Sequence, residues 1–275
     1  MNLILLFDSD FITPHRVRLS GRRFAHIKDI LKAECAKTLT VGKINGLMGQ
    51  GTLVSKTSDA IELEVKLEGK PPQALALTLI LALPRPPMLK RILFSAAMLG
   101  VKKIIILNFN RVEKSLWNSS SLKLPAITEQ LVLGLEQAKD TLMPEVILKK
   151  GFRPFVEDEL PDLIKGKLAL VAHPDTTSFS LVSSGDRGRE NEGSLIFCPS
   201  ERRLLRARWG NPRTGPDDLQ GDQPDKPMIL VVGPEGGIID YEIELLKAAG
   251  CQTIDLGRRI LRTESVLPYV VGKLF

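Results

Sequence analysis

A glycine-rich turn follows an apolar stretch near the C-terminus and leads into a predicted helix. The segment ILVVGPEGGIIDYEIELLKAAG covers residues 229–250, and its turn reads Gly233-Pro234-Glu235-Gly236-Gly237. A turn of this kind usually binds phosphate, because free N–H groups and the positive end of the helix dipole point at the ligand. Here Glu235 stands where a phosphate would lie, and its charge would repel an anion. The turn is therefore predicted to hold a neutral or cationic group.

A second turn of similar layout follows the next predicted strand. It reads LGRRILRTES, residues 256–265, and leads into the last predicted helix. Thr263 is expected to cap this helix and Asp240 the preceding one, because both side chains can accept backbone N–H groups. Turns after consecutive parallel strands can meet at the carboxyl edge of a sheet, where α/β proteins bind ligands. The backbone of both turns could then hold a flat, polar group such as adenine.

Strands and helices alternate from Leu75 onward, which predicts an α/β fold. The predicted strands are apolar without alternation, as expected when helices cover both faces of a parallel sheet. They include LALTLILAL, KKIIILNF, EVILKK, KLALVAH, MILVVG and TIDLG, and the helical segments between them include PPMLKRILFSAAMLG, LPAITEQLVLGLEQAKDTL and FVEDELPDLI. A helical TESVLPYVVGKLF ends the chain.

The first 70 residues are mostly β in pattern. Short strand-like runs recur, and AIELEVKLE alternates apolar and polar residues as a half-buried strand does. One helix is predicted from Arg22 to Glu34, with Phe24, Ile27, Ile30 and Leu31 on one face. A small β-barrel with one helix is the expected architecture, and the proline-containing EGKPPQA is the expected linker. The predicted domains are therefore 1–70 and 74–275.

Composition limits the classes of function. The 275 residues carry a net charge of +6 and a pI near 9.2, which favours a polyanionic partner. No run of apolar residues is long enough to cross a membrane, and MNLILLFDSDF lacks the basic start of a signal peptide, so a cytoplasmic protein is expected. Three cysteines and three histidines are scattered, so we expect neither a metal site nor a disulfide framework.

An insertion interrupts the α/β pattern at about 183–226. It is rich in Gly, Pro, Asp and Arg, lacks periodicity and is expected to form a flexible loop. Its arginines, Arg202, Arg203, Arg206 and Arg208, lie beside Trp209. The segment can be interpreted as an arm that touches RNA or as a solvated, variable loop, and we favour the second interpretation.

Several motifs together resemble the small-subunit ribosomal RNA methyltransferase E family (RsmE) of the SPOUT superfamily. The most specific are GPEGG followed by Glu242, and LGRRILRTE. LPRPPMLKRILFSAAMLGVKKIIIL is similar to the family's first strand and helix, and LEQAKDTLMPEV to a later helix end. The β-rich first half is similar to the family's PUA-like RNA-binding domain. The resemblance covers nearly the whole chain apart from the insertion.

This resemblance implies a fold, a reaction and a cofactor. The fold would be a PUA-like β-barrel followed by a SPOUT-type α/β domain with a trefoil knot, assembled as a homodimer. The reaction would be methylation of N3 of a uridine in 16S ribosomal RNA of the small subunit, with S-adenosylmethionine as cofactor. The implied cofactor-binding residues are Gly233, Glu235, Gly236, Gly237, Leu256, Gly257, Ile260, Leu261, Arg262 and Thr263.

Methylation at N3 also predicts catalytic groups. Methyl transfer from a sulfonium is a displacement, so the protein mainly aligns the two reactants. Uracil N3 carries a proton, so the site needs a base or a cation that stabilises the developing anion. Arg262 is the predicted cation, and Glu264 or Glu235 the predicted base. Alternatively, Arg262 and Glu264 form an ion pair that only stabilises the helix start.

Basic residues of the first domain are candidates for contact with RNA. They are Arg16, Arg18, Arg22, Arg23, Lys28 and Lys32, which equally fit a solvated surface. Nearby His26 is expected to pack against the barrel. The sequence departs from the family pattern at Ala138-Lys139-Asp140, where an acid replaces an expected arginine, so Lys139 is the candidate substitute. Two alternatives remain open: a SPOUT methyltransferase for another RNA or position, and an RNA-binding relative without catalysis.

Overall fold

The computed structural model describes residues 2–173, 179–180, 227–257 and 259–275, with backbone only at 179–180. The predicted insertion at 183–226, with Arg202, Arg203, Arg206, Arg208 and Trp209, lies outside the described residues. The chain forms two compact units. Unit 1 contains residues 1–74, 93–102 and 123–144, and unit 2 contains residues 75–92, 103–122 and 145–275.

A six-stranded sheet with the order β1-β4-β5-β6-β3-β2 forms the centre of unit 1. Its strands are β1 (Ile4–Leu6), β2 (Phe11–Thr13), β3 (Arg16–Ser20), β4 (Thr38–Lys43), β5 (Met48–Lys56) and β6 (Ala60–Gly69). β1 pairs with β4 in parallel, and the other pairs are antiparallel. In β6, Ile61, Leu63 and Val65 are buried in the core, while Glu62 and Glu64 point to the other face. This arrangement confirms the strand predicted from the alternating pattern.

The helix predicted from Arg22 to Glu34 is shorter than expected. Helix α1 runs over Gly21–Ala25 and continues as a π-helical turn over His26–Ile30. The chain then leaves the helix, because Lys32 adopts a left-handed backbone with φ 46°. Ile27 is buried, but Ile30 is 69% exposed, so its predicted place on the apolar face is wrong. The wider π turn changes the angular spacing of side chains from that of an α-helix.

Seven strands form the sheet of the α/β part, in the order β11-β13-β10-β12-β7-β8-β9. They are β7 (Leu75–Ala82), β8 (Val101–Leu107), β9 (Glu145–Lys149), β10 (Leu168–Ala172), β11 (Phe179–Ser180), β12 (Met228–Val232) and β13 (Gln252–Asp255). β12 is buried along its whole length between β7 and β10, and both pairs are parallel. Continuous apolar strands therefore correspond to a covered parallel sheet, as predicted.

Helices alternate with these strands, so the predicted mixed α/β fold is confirmed. They are α2 (Pro86–Met98), α3 (Leu124–Ala138), α4 (the consecutive pieces Phe152–Pro154, Phe155–Glu159 and Leu160–Ile164), α5 (Asp240–Ala248) and α6 (Thr263–Leu274). The connection from β12 to β13 passes β10, which pairs with both. This brings the ends of β10, β12 and β13 together at one sheet edge. None of the helices described is long and apolar enough to cross a membrane.

Candidate functional site

A cavity of about 650 Å³ lies at the carboxyl edge of the unit 2 sheet. The segments that follow four parallel strands, β7, β10, β12 and β13, contribute to its walls, together with the start of α6. The lining residues include Arg85, Met88, His173, Gly233, Glu235, Gly237, Asp255, Leu256, Gly257, Arg259, Ile260, Leu261, Arg262, Thr263 and Glu264. The two turns singled out in the sequence thus face one space, as the edge rule for parallel sheets predicts.

The first turn is held by backbone geometry and close packing. Gly233 has its α-carbon against the Ile238 side chain, so a Cβ at this position would clash. The Gly237 N–H donates to the Pro234 carbonyl oxygen at 2.8 Å, which closes the turn. Gly237 has φ +82°, a conformation that favours glycine. Arg111 donates from Nη1 to the Gly236 carbonyl oxygen. These contacts hold the backbone of the turn in place.

Both predicted helix caps lie one position away from the residues expected. α5 begins at Asp240 with Ile239 as its N-cap, and α6 begins at Thr263 with Arg262 as its N-cap. For α5, the Glu242 carboxylate supplies the missing acceptor: Oε2 accepts from the Ile239 N–H at 3.3 Å. Its Oε1 accepts from the Asn110 N–H at 2.7 Å, and Glu242 is buried. Glu242 therefore fixes the loop after β8 to the start of α5.

The second turn begins with a local hydrogen bond from the backbone to a side chain. Asp255 Oδ1 accepts the Gly257 N–H at 3.0 Å, and Gly257 has φ +110°. Ile260 follows on the outside of the turn and is 97% exposed, although it lines the cavity. Thr263 is buried at the first position of α6. The turn thus presents backbone groups and one exposed apolar side chain to the cavity.

Two ion pairs place the carboxylates of the cavity. Glu235 Oε2 lies 3.6 Å from Arg85 Nε, and Arg85 Nη2 lies 3.1 Å from Glu113 Oε1. Glu264 Oε1 lies 3.6 Å from Arg91 Nη1, and the Glu264 side chain is only 16% exposed. Glu264 thus pairs with Arg91 of α2, and the alternative pairing of Glu264 with Arg262 is not among the ion pairs of the described residues.

The structure brings together most of the site residues predicted from the sequence. The three catalytic candidates, Arg262, Glu264 and Glu235, all line the 650 Å³ cavity, and so do nine of the ten cofactor candidates. Gly236 instead lines a neighbouring cavity. The cavity also contains Arg85, His173, Asp255 and Arg259, which the sequence motifs do not single out. The position of Arg85 and His173 directly after predicted parallel strands was the signal that could have identified them.

A second cavity of about 360 Å³ adjoins the first in unit 2. Arg85, Pro234 and Glu235 line both cavities. The remaining walls of the second one are formed by Leu83, Arg111, Val112, Glu113, Leu116 and Gly236. The Arg85–Glu235 pair therefore stands where the two cavities meet.

The arginines predicted to bind RNA all have acidic partners within unit 1. Arg16 pairs with Glu62 at 2.6 Å, Arg18 with Asp59 at 4.0 Å, and Arg22 with Glu136 at 2.8 Å. Arg23 makes two hydrogen bonds to Asp10, of 2.5 and 2.7 Å, and is largely buried. Arg23 thus stabilises unit 1 directly, while Arg16, Arg18 and Arg22 remain about half-exposed.

The lysine candidates are exposed. Lys28 lies over the Phe24 ring, with Nζ 5.4 Å from its centre, and Lys32 follows the helix end. Lys139 ends α3 in a left-handed conformation with φ 55°. The next residue, Asp140, is buried and pairs with Lys102 at 2.5 Å. The acid that departs from the family pattern is therefore an interior residue, and its exposed neighbour carries the positive charge.

His26 is partly buried, and its Nε2 has no hydrogen-bond partner in the described part of the chain. Burial lowers the pKa of His26, and the positive charges of the N-terminus and Arg22 lower it further.

Within the described ranges, no three His, Cys, Asp or Glu side chains are grouped so that they could hold a metal ion.

The parallel sheet, its two turns and the cavity between them define an α/β protein with a candidate ligand site at the sheet edge. A family model described as an RNA methyltransferase domain matches residues 71–198 and 189–274. These two matches cover most of the chain. The chain therefore belongs to this RNA methyltransferase family.

Curated relatives and solved structures agree with this assignment. The chain is 27% identical over 265 residues to ribosomal RNA small subunit methyltransferase E of Treponema pallidum, covering 95% of this chain and 86% of the relative. It is 26% identical over 265 residues to ribosomal RNA small subunit methyltransferase E 1 of Borreliella burgdorferi, covering 96% and 93%. These relatives confirm the resemblance predicted from the motifs.

Two solved structures share the fold over nearly their full length. A Legionella pneumophila methyltransferase in complex with bound SAM is 20% identical, with a TM-score of 0.68 and coverage of 100% of this chain and 97% of the other. A ribosomal RNA small subunit methyltransferase E from Neisseria gonorrhoeae, bound to S-adenosyl methionine, is 19% identical, with a TM-score of 0.65 and coverage of 99% and 95%.

Proposed function

We propose that this protein is an S-adenosylmethionine-dependent methyltransferase that methylates N3 of a uridine in 16S ribosomal RNA of the small subunit. One observation carries the proposal: in a chain of the RNA methyltransferase family, the GPEGG and LGRRILRTE turns line the same cavity. Relatives named ribosomal RNA small subunit methyltransferase E cover nearly the whole chain and support the choice of RNA.

The residues of the cavity fit S-adenosylmethionine in size and charge. The volume of about 650 Å³ lies within the range of small-molecule pockets. Carboxylates of Glu235, Asp255 and Glu264 suit a sulfonium and an ammonium, while Arg259 and Arg262 suit a carboxylate. The positive-φ glycines, Gly237 and Gly257, keep the two turns narrow. We assign the cofactor to the predicted set Gly233, Glu235, Gly236, Gly237, Leu256, Gly257, Ile260, Leu261, Arg262 and Thr263, in which Gly236 belongs to the turn but lines the neighbouring cavity.

When bound, S-adenosylmethionine would supply a methyl group from a positively charged sulfur and would leave as a neutral thioether. The protein must remove the N3 proton of uracil and stabilise the negative charge that remains. Glu235 takes the proton on a carboxylate oxygen, because it lines both cavities and is the more exposed of the two candidate bases, at 40% against 16% for Glu264. Arg262 stabilises the anionic uracil through charge-assisted hydrogen bonds.

Glu264 has a positioning role in this scheme. Its pair with Arg91 holds it at the first turn of α6, where a negative charge also stabilises the helix N-terminus. Because Arg262 precedes the same helix, the pair indirectly places Arg262 at the cavity.

The larger arrangement follows from the same proposal. The strands of residues 1–70 would form a PUA-like RNA-binding domain that the unit 1 segments 93–102 and 123–144 complete, and the rest of 74–275 would form a SPOUT domain with a trefoil knot, acting as a cytoplasmic homodimer. The half-exposed Arg16, Arg18 and Arg22 and the exposed Lys28, Lys32 and Lys139 would contact the RNA backbone. Arg23 would act through its bidentate contact with Asp10, which stabilises the surface that presents the others.

Nucleoside mass spectrometry tests the reaction. Small ribosomal subunits from a strain that lacks the modification are incubated with the protein and S-adenosylmethionine, and we expect new 3-methyluridine. Arg262→Ala and Glu235→Gln should each lower the rate by about 10²-fold or more, the size typical of a lost charge-stabilising or proton-transfer group. If the protein binds the cofactor but no methylated nucleoside forms, the substrate is another RNA or another position.

Calorimetry of cofactor binding tests the site independently. Gly257→Ala should weaken S-adenosylmethionine binding by about tenfold, because alanine at φ +110° costs roughly 1–3 kcal/mol. Gly166→Ala is the matched control: Gly166 also has a positive φ, of 72°, but is not among the residues of the cavity. Equal affinities of the two variants for S-adenosylmethionine would contradict the assignment of the turn to the cofactor site. If the wild type does not bind S-adenosylmethionine, the proposed cofactor is wrong.

A further inference from the structure

The second cavity is polar where it meets the first. Arg85 and Glu235 line both, and Glu113 and Arg111 stand on the walls of the second cavity alone. All four side chains are exposed, at 65% for Arg85, 57% for Glu113 and 40% for Glu235. A ligand can therefore reach them without a rearrangement of the core.

Three of these charges alternate along a connected row, and Arg111 lies on the same wall. Arg85 lies between two carboxylates, at 3.1 Å from Glu113 and 3.6 Å from Glu235. Two guanidinium groups and two carboxylates make the wall neutral overall. A neutral wall does not attract a polyanion, but it offers donors and acceptors side by side. It therefore suits a neutral, planar group that has both.

Uracil is such a group, and cytosine differs from it along the same edge. Uracil presents two carbonyl acceptors on either side of the N3–H donor, whereas cytosine presents an amino donor beside an unprotonated N3. Carboxylates accept only, and guanidinium groups donate only. A carboxylate next to a guanidinium thus matches N3–H and a neighbouring carbonyl of uracil. With cytosine bound, the same carboxylate would face the unprotonated N3, which is also an acceptor.

We propose that the second cavity binds the base of the target nucleotide, and that Glu113, Arg85 and Glu235 distinguish uracil from cytosine. This inference rests on the proposed function, because it places the methyl acceptor of that reaction. Arg85 donates to a uracil carbonyl, Glu235 faces N3–H, and Glu113 holds the Arg85 guanidinium in place. Arg85 and Glu113 are thus assigned to specificity.

The position of the row supports this placement. Donor and acceptor must lie next to each other for a direct displacement. Glu235 and Arg85 stand at the junction of the two cavities. A base bound in the second cavity would therefore turn its N3 edge toward the first cavity, where the cofactor is assigned. Leu83, Val112 and Leu116 give the cavity an apolar wall against which a planar ring can pack.

Binding of mononucleotides to the whole protein tests the inference without catalysis. Uridine and cytidine 5′-monophosphates are titrated separately in the presence of S-adenosylhomocysteine, and saturation-transfer NMR of the base protons measures affinity. We expect the wild type to bind the uridine nucleotide at least about fivefold more tightly. Glu113→Gln should remove most of this preference while S-adenosylhomocysteine binding is kept, because Glu113 lines the second cavity and not the first. Arg85→Lys should also remove most of the preference.

The exposed pair Arg153–Glu157 of unit 2 provides matched controls. Arg153 Nε lies 2.8 Å from Glu157 Oε1, and neither residue lines either cavity. Arg153→Lys and Glu157→Gln should leave the preference unchanged. Equal binding of both nucleotides to the wild type, or an unchanged preference in Glu113→Gln, would overturn the inference. A preference for the uridine nucleotide without formation of 3-methyluridine on ribosomal subunits would instead refute the proposed function alone.

Discussion

At the scale of single residues, Glu136 of α3 shows how burial and charge oppose each other. It is 1% exposed, and its Oε2 accepts a hydrogen bond from Arg22 Nη2 at 2.8 Å. Its Oε1 is buried and has no partner within the described residues. Burial raises the pKa of Glu136, and the lowering effects of Arg22, the Leu5 backbone and Arg23 do not cancel that rise.

The raised pKa predicts how Glu136 affects stability as pH changes. Its folded pKa lies above the unfolded value, so the stabilisation is complete below the unfolded pKa and is lost as pH rises through the folded pKa. Glu136→Gln mimics the protonated form and should gain stability relative to the wild type as pH rises. Urea unfolding of both proteins across this pH range measures the difference.

Glu68→Gln is the control for this experiment. Glu68 is 70% exposed and pairs with Lys66 at 3.1 Å on the surface of unit 1, so its replacement should change the free energy of unfolding by no more than about 0.5 kcal/mol. A difference between wild type and Glu136→Gln that does not depend on pH would contradict the prediction.

Single residues also show where sequence reasoning ends. Glu235 and Arg262 could be predicted because each lies in a local turn motif. The pairs Glu264–Arg91 and Glu235–Arg85 could not, because they join segments far apart in the chain. Only the fold brings such side chains together, and single-sequence patterns report neighbours on one element.

At the scale of elements, the contact between α3 and the last turns of α2 depends on one glycine. A Cβ on Gly134 would clash with the Phe94 carbonyl oxygen and lie 2.8 Å from Ala97 Cβ. The two helices therefore approach closely enough that no side chain fits at this position. Gly134 is buried inside α3, where alanine would otherwise be preferred by about 1 kcal/mol.

Gly134→Ala should therefore destabilise the protein in spite of this helix propensity. Overpacking against a backbone carbonyl forces the helices apart, and we expect a loss of about 1–3 kcal/mol. Gly272→Ala is the matched control, because Gly272 lies inside α6 with open space around its α-carbon, and should gain up to about 1 kcal/mol. Thermal unfolding of both variants gives the comparison, and a stabilised Gly134→Ala would contradict the packing described.

Element boundaries were less predictable than element types. The strands of the α/β part follow from unbroken apolar runs, since both sheet faces are covered. The end of α1 does not follow from periodicity, because Ile30 and Leu31 continue the apolar pattern while the backbone turns left-handed at Lys32. Likewise, Asp240 and Thr263 are good capping residues that the structure places one position inside the helices.

At the scale of the whole molecule, the sheet of unit 1 depends on segments that come much later in the chain. The Asn2 and Leu3 N–H groups both donate to the Glu136 carbonyl oxygen at 3.0 Å. Thr141 Oγ1 donates to the Gly46 carbonyl oxygen at 2.6 Å, and the Asn45 N–H donates to the Thr141 carbonyl oxygen at 2.8 Å. Composition and linkers could not predict this discontinuity, because they mark boundaries along the chain and carry no information on contacts across it.

This discontinuity predicts the behaviour of a fragment. Residues 1–74 alone contain all six strands of the unit 1 sheet but lack residues 93–102 and 123–144. Each buried backbone group left without its partner costs about 1–3 kcal/mol, and the apolar surface covered by α3 would be open to water. We therefore expect the fragment to be largely unfolded at 25 °C, or to unfold at a much lower urea concentration than the whole protein.

Amide hydrogen exchange of residues 38–65 tests this expectation, with the full chain as control. These amides should be less protected in the fragment than in the full chain, because global unfolding of the fragment costs less free energy and exposes them to exchange. Equal protection in both would mean that the sheet folds without the later segments, and that the predicted boundary at residues 70–74 separates two independently stable domains.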